Sequence, residues 1–121
     1  MPEGDSIHKV AARLRPALVG HRLSRFELRD RGPISTLVGR EVRRIDVHGK
    51  NMFVRIEPRW VLHVHLGMKG RWRAFPGGVQ RRFPRAEALA ILGVEDDAYV
   101  CFRAATARLV TEGDPRLMRV V

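Results

Sequence analysis

The hydrophobic period of this chain changes at Gly20, and that change limits what it can fold into. Before it, SIHKVAARLRPALVG places Ile7, Val10, Ala11, Leu14 and Leu18 on one helical face. Asp5 or Ser6 is available as N-cap and Gly20 as the stop, while Pro16 is expected to kink or shorten the last turn. After it, HRLSRFELR, REVRRIDVHG, NMFVRIE, WVLHVHLGM and GRWRAF are short runs broken by Gly, Pro and Asp, the pattern of strands. ALAILGV and AYVCFRA flank the acidic turn EDD and read as a hairpin. PGGVQRRFPR is the best candidate for a mobile loop, and TARLVTEGDPRLMRVV is compatible with a short helix and then a broken end. One leading helix followed by many short strands predicts a mainly β (α+β) fold. The expected architecture is an antiparallel two-sheet β-sandwich or barrel, with the N-terminal helix packed across it.

A chain of 121 residues has room for one hydrophobic core, so residues 1–121 are expected to form a single domain. Apolar residues at 45% and charged residues at 30% place it among globular rather than disordered sequences. It holds no run of about 18 apolar residues, and its N-terminus carries acids rather than the basic-then-apolar pattern of a secretion signal. The expectation is a cytoplasmic monomer with no membrane partner.

Charge gives the first functional direction. Twenty-three Lys and Arg against 13 Asp and Glu leave a formal net charge of +10, which points to a polyanionic partner. The cations are spread through RRFPR, GRWR, GREVRR and GDPRLMR, as on a folded surface studded with phosphate contacts. Only Lys9, Lys50 and Lys69 are lysines. In a chain that otherwise writes its cations as arginine, a lysine offers a compact ammonium that can deprotonate. The single cysteine, Cys101, lies in the apolar run AYVCF and reads as a small core residue. His63 and His65 are two apart in an apolar strand and share one face, where a packed or DNA-facing role is expected rather than a metal. No metal or cofactor is predicted.

Three local signals carry chemistry. At the start, PEGDS brings Pro2 beside the carboxyl of Glu3. Pro2 either simply feeds a helix start, where proline is tolerated, or, once Met1 is trimmed, exposes a secondary amine. With Met1 attached its nitrogen is an amide and cannot attack. In HGKNMF, Gly49 turns the chain and Lys50 opens a strand; in HLGMKGRWR, a strand ends in a glycine-flanked tip carrying Met68 and Lys69. An amine that attacks an aldehyde-like carbon forms a Schiff base, an electron sink that makes adjacent bonds to leaving groups breakable. A neighbouring carboxyl can shuttle protons, and a cation can hold an expelled phosphate.

Taken together, MPEG, RPALVG, HGKNMFVRI and HLGMKGRWR, in this order, resemble the N-terminal domain of the formamidopyrimidine-DNA glycosylase and endonuclease VIII family of base-excision repair enzymes. The resemblance covers essentially the whole chain. It implies a DNA glycosylase with abasic-site lyase activity on oxidised bases, acting on double-stranded DNA with a damaged base or abasic site in the cytoplasm or nucleoid. By the same resemblance Pro2 is the nucleophile, Glu3 its acid/base partner, and Lys50 the strand lysine that contacts phosphate and supports elimination. Met68 stands where the family places a residue that enters the hole left by an extruded nucleotide; the alternative is a plain core methionine. His65, Lys69, Arg71, Arg73 and Arg85 are the candidate DNA contacts, with a solvated cation as the alternative for each arginine.

Two departures from the family pattern stand out. Ser6 occupies a position where many relatives carry glutamate, and CFRAATARLV lacks the Arg-Arg-Phe-Gly loop of enzymes specialised for oxidised purines. Together with GRWR, this tilts the resemblance toward the endonuclease VIII branch, whose substrates are oxidised pyrimidines and abasic sites. The family's second domain, a helix-two-turns-helix unit with a zinc finger, begins about where this sequence stops, so zinc is expected only there. The alternative function is a DNA-binding module of the same fold with little or no catalysis.

Overall fold

The computed structural model describes residues 3–84 and 86–113, with side chains from Ile7 onward. Helix α1 spans Glu3–Leu18. Ile7, Val10, Ala11, Leu14 and Leu18 are all buried, so the apolar stripe is the face that enters the core. The helix begins at Glu3, ahead of the expected caps Asp5 and Ser6. Pro16 does not shorten it. Leu14 and Leu18 anchor the last turn on either side, and the Val19 amide still donates to the Arg15 carbonyl at 2.9 Å.

Among the described residues nine strands follow: β1 Leu23–Leu28, β2 Gly32–Pro33, β3 Val42–His48, β4 Asn51–Ile56, β5 Trp60–His65, β6 Arg71–Phe75, β7 Ala88–Val94, β8 Asp97–Phe102 and β9 Thr106–Thr111. They form two antiparallel sheets, ordered β2-β1-β7-β8-β6 and β3-β4-β5-β9. The expected sandwich is therefore present, with the ALAILGV–AYVCFRA hairpin as β7 and β8. Phe26, Leu28, Ala90 and Leu92 of the first sheet meet Met52, Val54, Ile56, Leu62 and Val64 of the second in one cluster, and the helical stripe closes it. Cys101 lies in this core, where burial pushes its thiol up to about 12, so it acts as a small apolar residue. Among the described residues no helix is long and apolar enough to cross a membrane.

Two expectations are corrected. Residues from Thr106 form strand β9 rather than a short helix, paired with β5 from His65↔Thr106 to Trp60↔Thr111. The open edge of β5 offers a full ladder, and alternation lets Leu109 face the main core while Val110 packs with Phe53 and Val61 on the other side. The tail from residue 114 lies outside the described residues. Within PGGVQRRFPR, residues 76–84 are strapped across the outer face of the five-stranded sheet rather than hanging as a free loop, and Arg85 lies outside the described residues. Arg25 Nη1 donates to the carbonyls of Val79 and Arg81, both at 2.8 Å, and Gly77 N donates to Asp97 Oδ1 at 2.8 Å. Phe83 meets Phe75 edge to face with centroids 4.8 Å apart.

Gly93 makes room for this strap. A Cβ there would lie 2.7 Å from Val79 Cγ2, 2.8 Å from Arg25 Cβ and 2.9 Å from Ser24 Oγ. Gly93→Ala is expected to destabilise the domain by about 1–3 kcal/mol through overpacking, read as a lower denaturant midpoint with an unchanged slope.

Candidate nucleic-acid interface

Three turns meet at one end of the sandwich. The β3–β4 turn carries Gly49 and Lys50, the β5–β6 tip runs from Leu66 to Gly70, and the β8–β9 turn runs from Arg103 to Ala105. Strand register holds them together, with His48↔Asn51, Asn51↔His65 and His65↔Thr106 as successive partners. Leu66 N donates to the Lys50 carbonyl at 3.3 Å, and Ala105 N donates to the His65 carbonyl at 2.9 Å.

The start of α1 belongs to the same end. Val19 bridges Val42, and Arg15 Nε donates to the Ile45 carbonyl at 3.0 Å, so the helix runs antiparallel to β3. Back from Arg15 to Glu3 the helix rises about 18 Å, and from Ile45 to His48, where the lysine turn begins, the strand advances about 10 Å in the same direction. Glu3 thus opens the helix at the end of the sandwich that bears the lysine turn. Pro2 lies outside the described residues, as does the Glu3 side chain.

The tip is built by its glycines. Gly67 has φ +71°, in the left-handed region. At Gly70 a Cβ would collide with the Leu66 carbonyl oxygen and would stand 2.8 Å from Leu66 Cδ1. Only glycine lets the chain fold back so tightly, and the consequence is that Met68 stands 86% exposed on the tip. The core reading of Met68 is thereby excluded. Lys69, Arg71 and Arg73 are exposed beside it, with Trp72 between the two arginines turned into the core. Lys50 is exposed at its turn and His65 is half-buried. The structure therefore gathers Lys50, His65, Met68, Lys69 and Arg71 with the helix start, while Arg73 leads away along β6. Arg85 lies outside the described residues.

Beside Lys50, Asn51 has a partner that sequence reasoning missed. Its Oδ1 lies 2.8 Å from His63 Nε2, and the His63 ring stacks on Phe53 with centroids 4.9 Å apart and planes 7° apart. With the amide in this orientation Oδ1 accepts from Nε2–H, which selects that tautomer. Nothing local in NMF or HVH signals the pair; only the β4–β5 register does. His63 is buried at 6% exposure, as its packed reading required. Burial first, then the charges of Arg108 and His65, holds its pKa below the ordinary imidazole value. Asp46 sits apart on the same face of β3. Burial alone would raise its pKa, but hydrogen bonds from Arg55 and Arg44 outweigh that and lower it. Among the described residues no group of three or more His, Cys, Asp or Glu gathers to hold a metal.

Comparison with known proteins turns this arrangement into a family assignment. The family described as formamidopyrimidine-DNA glycosylase N-terminal domain matches residues 1–118. The chain belongs to that family. Its relatives include the probable endonuclease 8 2 of Streptomyces coelicolor, 37% identical over 85% of this chain and 38% of that protein. The formamidopyrimidine-DNA glycosylase of a Caulobacter strain is 33% identical over 96% of this chain and 43% of its own length. The DNA-(apurinic or apyrimidinic site) lyase Nei2 of Mycolicibacterium smegmatis is 40% identical over 60% of this chain and 29% of that protein. This chain thus spans less than half the length of these relatives. In fold, it matches the Lactococcus lactis Fpg bound to oxidized-pyrimidine DNA with a TM-score of 0.76 at 18% identity, over 98% of this chain and 48% of that one. The same enzyme bound to abasic-site DNA gives 0.71 at 17% identity, over 93% and 45%.

The His63 shift has a testable sign. Because its folded pKa lies below the unfolded value, the unfolded chain binds more protons in the interval between them. The stability tied to neutral His63 is present above about pH 6.5 and is lost as pH falls toward the folded value. An NMR titration of the His63 ring is expected to give a midpoint below the ordinary imidazole value, with unfolding becoming easier over the same interval.

Proposed function

We propose that this chain is the catalytic domain of a DNA glycosylase that also cleaves at abasic sites, acting on oxidised bases in double-stranded DNA. The observation that carries the reading is the direction of α1 along β3, which brings the first turn of the helix to the end of the sandwich that bears Lys50 and the Met68 tip. The relatives, a lyase at abasic sites among them, point the same way. Endonuclease 8 proteins stand among these relatives, in keeping with the endonuclease VIII branch, whose oxidised pyrimidines we take as the substrate class.

The chemistry follows from the groups. With Met1 removed, the Pro2 nitrogen bonds to sugar carbon C1′ as the bond from C1′ to the base breaks, and the base leaves with the proton the amine gives up. Protonation of the ring oxygen by Glu3 opens the sugar and leaves an iminium, which draws electrons from its neighbouring carbon. Loss of a C2′ proton to the resulting carboxylate then expels the 3′-phosphate and breaks the strand. Lys50 holds phosphate through its ammonium. Met68 fills the stack vacated by the extruded nucleotide, offsetting part of the few kcal/mol that unstacking costs.

Protein with a verified N-terminal proline is expected to form a borohydride-stable adduct with abasic-site DNA, and Met1-retaining protein is expected to form none. Absence of the adduct from the proline-terminal sample would overturn the catalytic reading. Met68→Ala is expected to leave stability within about 0.5 kcal/mol, as for an exposed side chain. Single-turnover base excision from duplex DNA should slow about 10-fold, equivalent to about 1.4 kcal/mol.

A further inference from the structure

The outer face of the five-stranded sheet carries a group of arginines far denser than the core beneath it requires. Phe75, Phe83 and Phe102 pack together there over Ala88, Ile91, Ala98 and Val100. Arg81 lies over the rings of Phe75 and Phe83, with its guanidinium carbon 5.0 and 5.6 Å from the two centroids. Arg73 lies 5.6 Å over Phe75, and Arg25 lies 5.7 Å over Phe83. Two clefts of about 340 and 310 Å³ flank this group and share Arg82 and Phe83 in their walls. The nearby carboxylates are engaged: Glu27 pairs with Arg25, and Glu87 with Arg103 at 3.5 Å. Among the described residues, Arg71, Arg73, Arg81 and Arg82 form no ion pair.

We propose that this face is a second phosphate-binding surface, which takes the backbone of the DNA flanking the lesion. The partner class follows from the geometry. Guanidiniums cover the phenyl rings, so the face offers planar forks of N–H donors rather than ring surfaces on which a base could stack. Such forks match phosphate oxygens two at a time, and stacking on the rings orders them before a ligand arrives. The surface is also continuous with the end already described. Arg71 and Arg73 alternate on one face of edge strand β6, about 6.7 Å apart, and lead from the Met68–Lys69 tip to Arg81 and Arg82. The Arg25 hydrogen bonds that hold the strap keep the last two arginines on this face. The proposal rests on the DNA reading above but concerns grip, not chemistry.

The test compares duplexes of about one helical turn (about 10 bp) and about 25 bp, each centred on an uncleavable abasic analogue, over a range of salt concentrations. The parent chain should bind the longer duplex more tightly and with a steeper salt slope. Arg81→Gln/Arg82→Gln should lower that slope by about 2 and erase the length advantage. Binding of the short duplex and borohydride trapping should be unchanged. Arg82→Gln alone, which leaves the ring contacts intact, should lower the slope by about 1, and Arg43→Gln/Arg59→Gln on the other sheet should change neither. An unaltered length advantage in the double variant, or an equal loss in the control, would overturn the proposal. So would polyglutamate that binds the parent but not the double variant while the long-duplex advantage persists in both, since that assigns the surface to an acidic protein. A parent that shows the length effect but no trapped adduct would leave this surface standing and defeat the catalytic reading instead.

Discussion

The register of β4 against β5 is the constraint on which the rest of this structure depends. Because side chains alternate faces along a strand, the pairing Met52↔Val64 and Phe53↔His63 sends one set into the sandwich and the other to its outside. A slip of β5 by one residue would turn His63 and His65 into the sandwich in place of Leu62 and Val64, and would break the core. The same register sets Asn51 opposite His65, so the lysine turn and the methionine tip must lie side by side. Core packing and site assembly are thus one requirement.

The helix adds the second half of that assembly. Its stripe from Ile7 to Leu18 needs the core, and the bond from Arg15 to the Ile45 carbonyl fixes which way it points along β3. Reversed, the same amphipathic helix could bury the same stripe while carrying its first residue to the far end of the sheet. This bond and the Val19–Val42 bridge, directional contacts to a strand backbone, together do what hydrophobic burial, which has no direction, cannot do.

The outer faces show how a small domain uses surface its core leaves over. On the four-stranded sheet, Phe53, Val61 and Val110 form a satellite cluster, with the His63 ring held between Phe53 and Asn51. On the five-stranded sheet, a phenylalanine cluster supports arginines instead, with Gly93 left bare so that the strap can lie flat. Both arrangements bring together residues distant in sequence, and both attach polar groups to apolar supports that orient them.

What the sequence by itself determined is what local periodicity and turn chemistry encode: the α1 stripe, the alternating runs of β1 and β3 to β8, the glycine-flanked tip, the cationic surplus and the family motifs. Tertiary structure decided whatever needed a partner far along the chain. TARLVT became β9 because an open edge of β5 was there to pair with, and residues 76–84 became a strap because Arg25 and Gly93 lie beneath them. Asn51 joined His63 through register alone. The physical reason is the range of the forces: propensity and alternation act within a few residues, whereas ladder hydrogen bonds and side-chain contacts form only after the whole chain has closed.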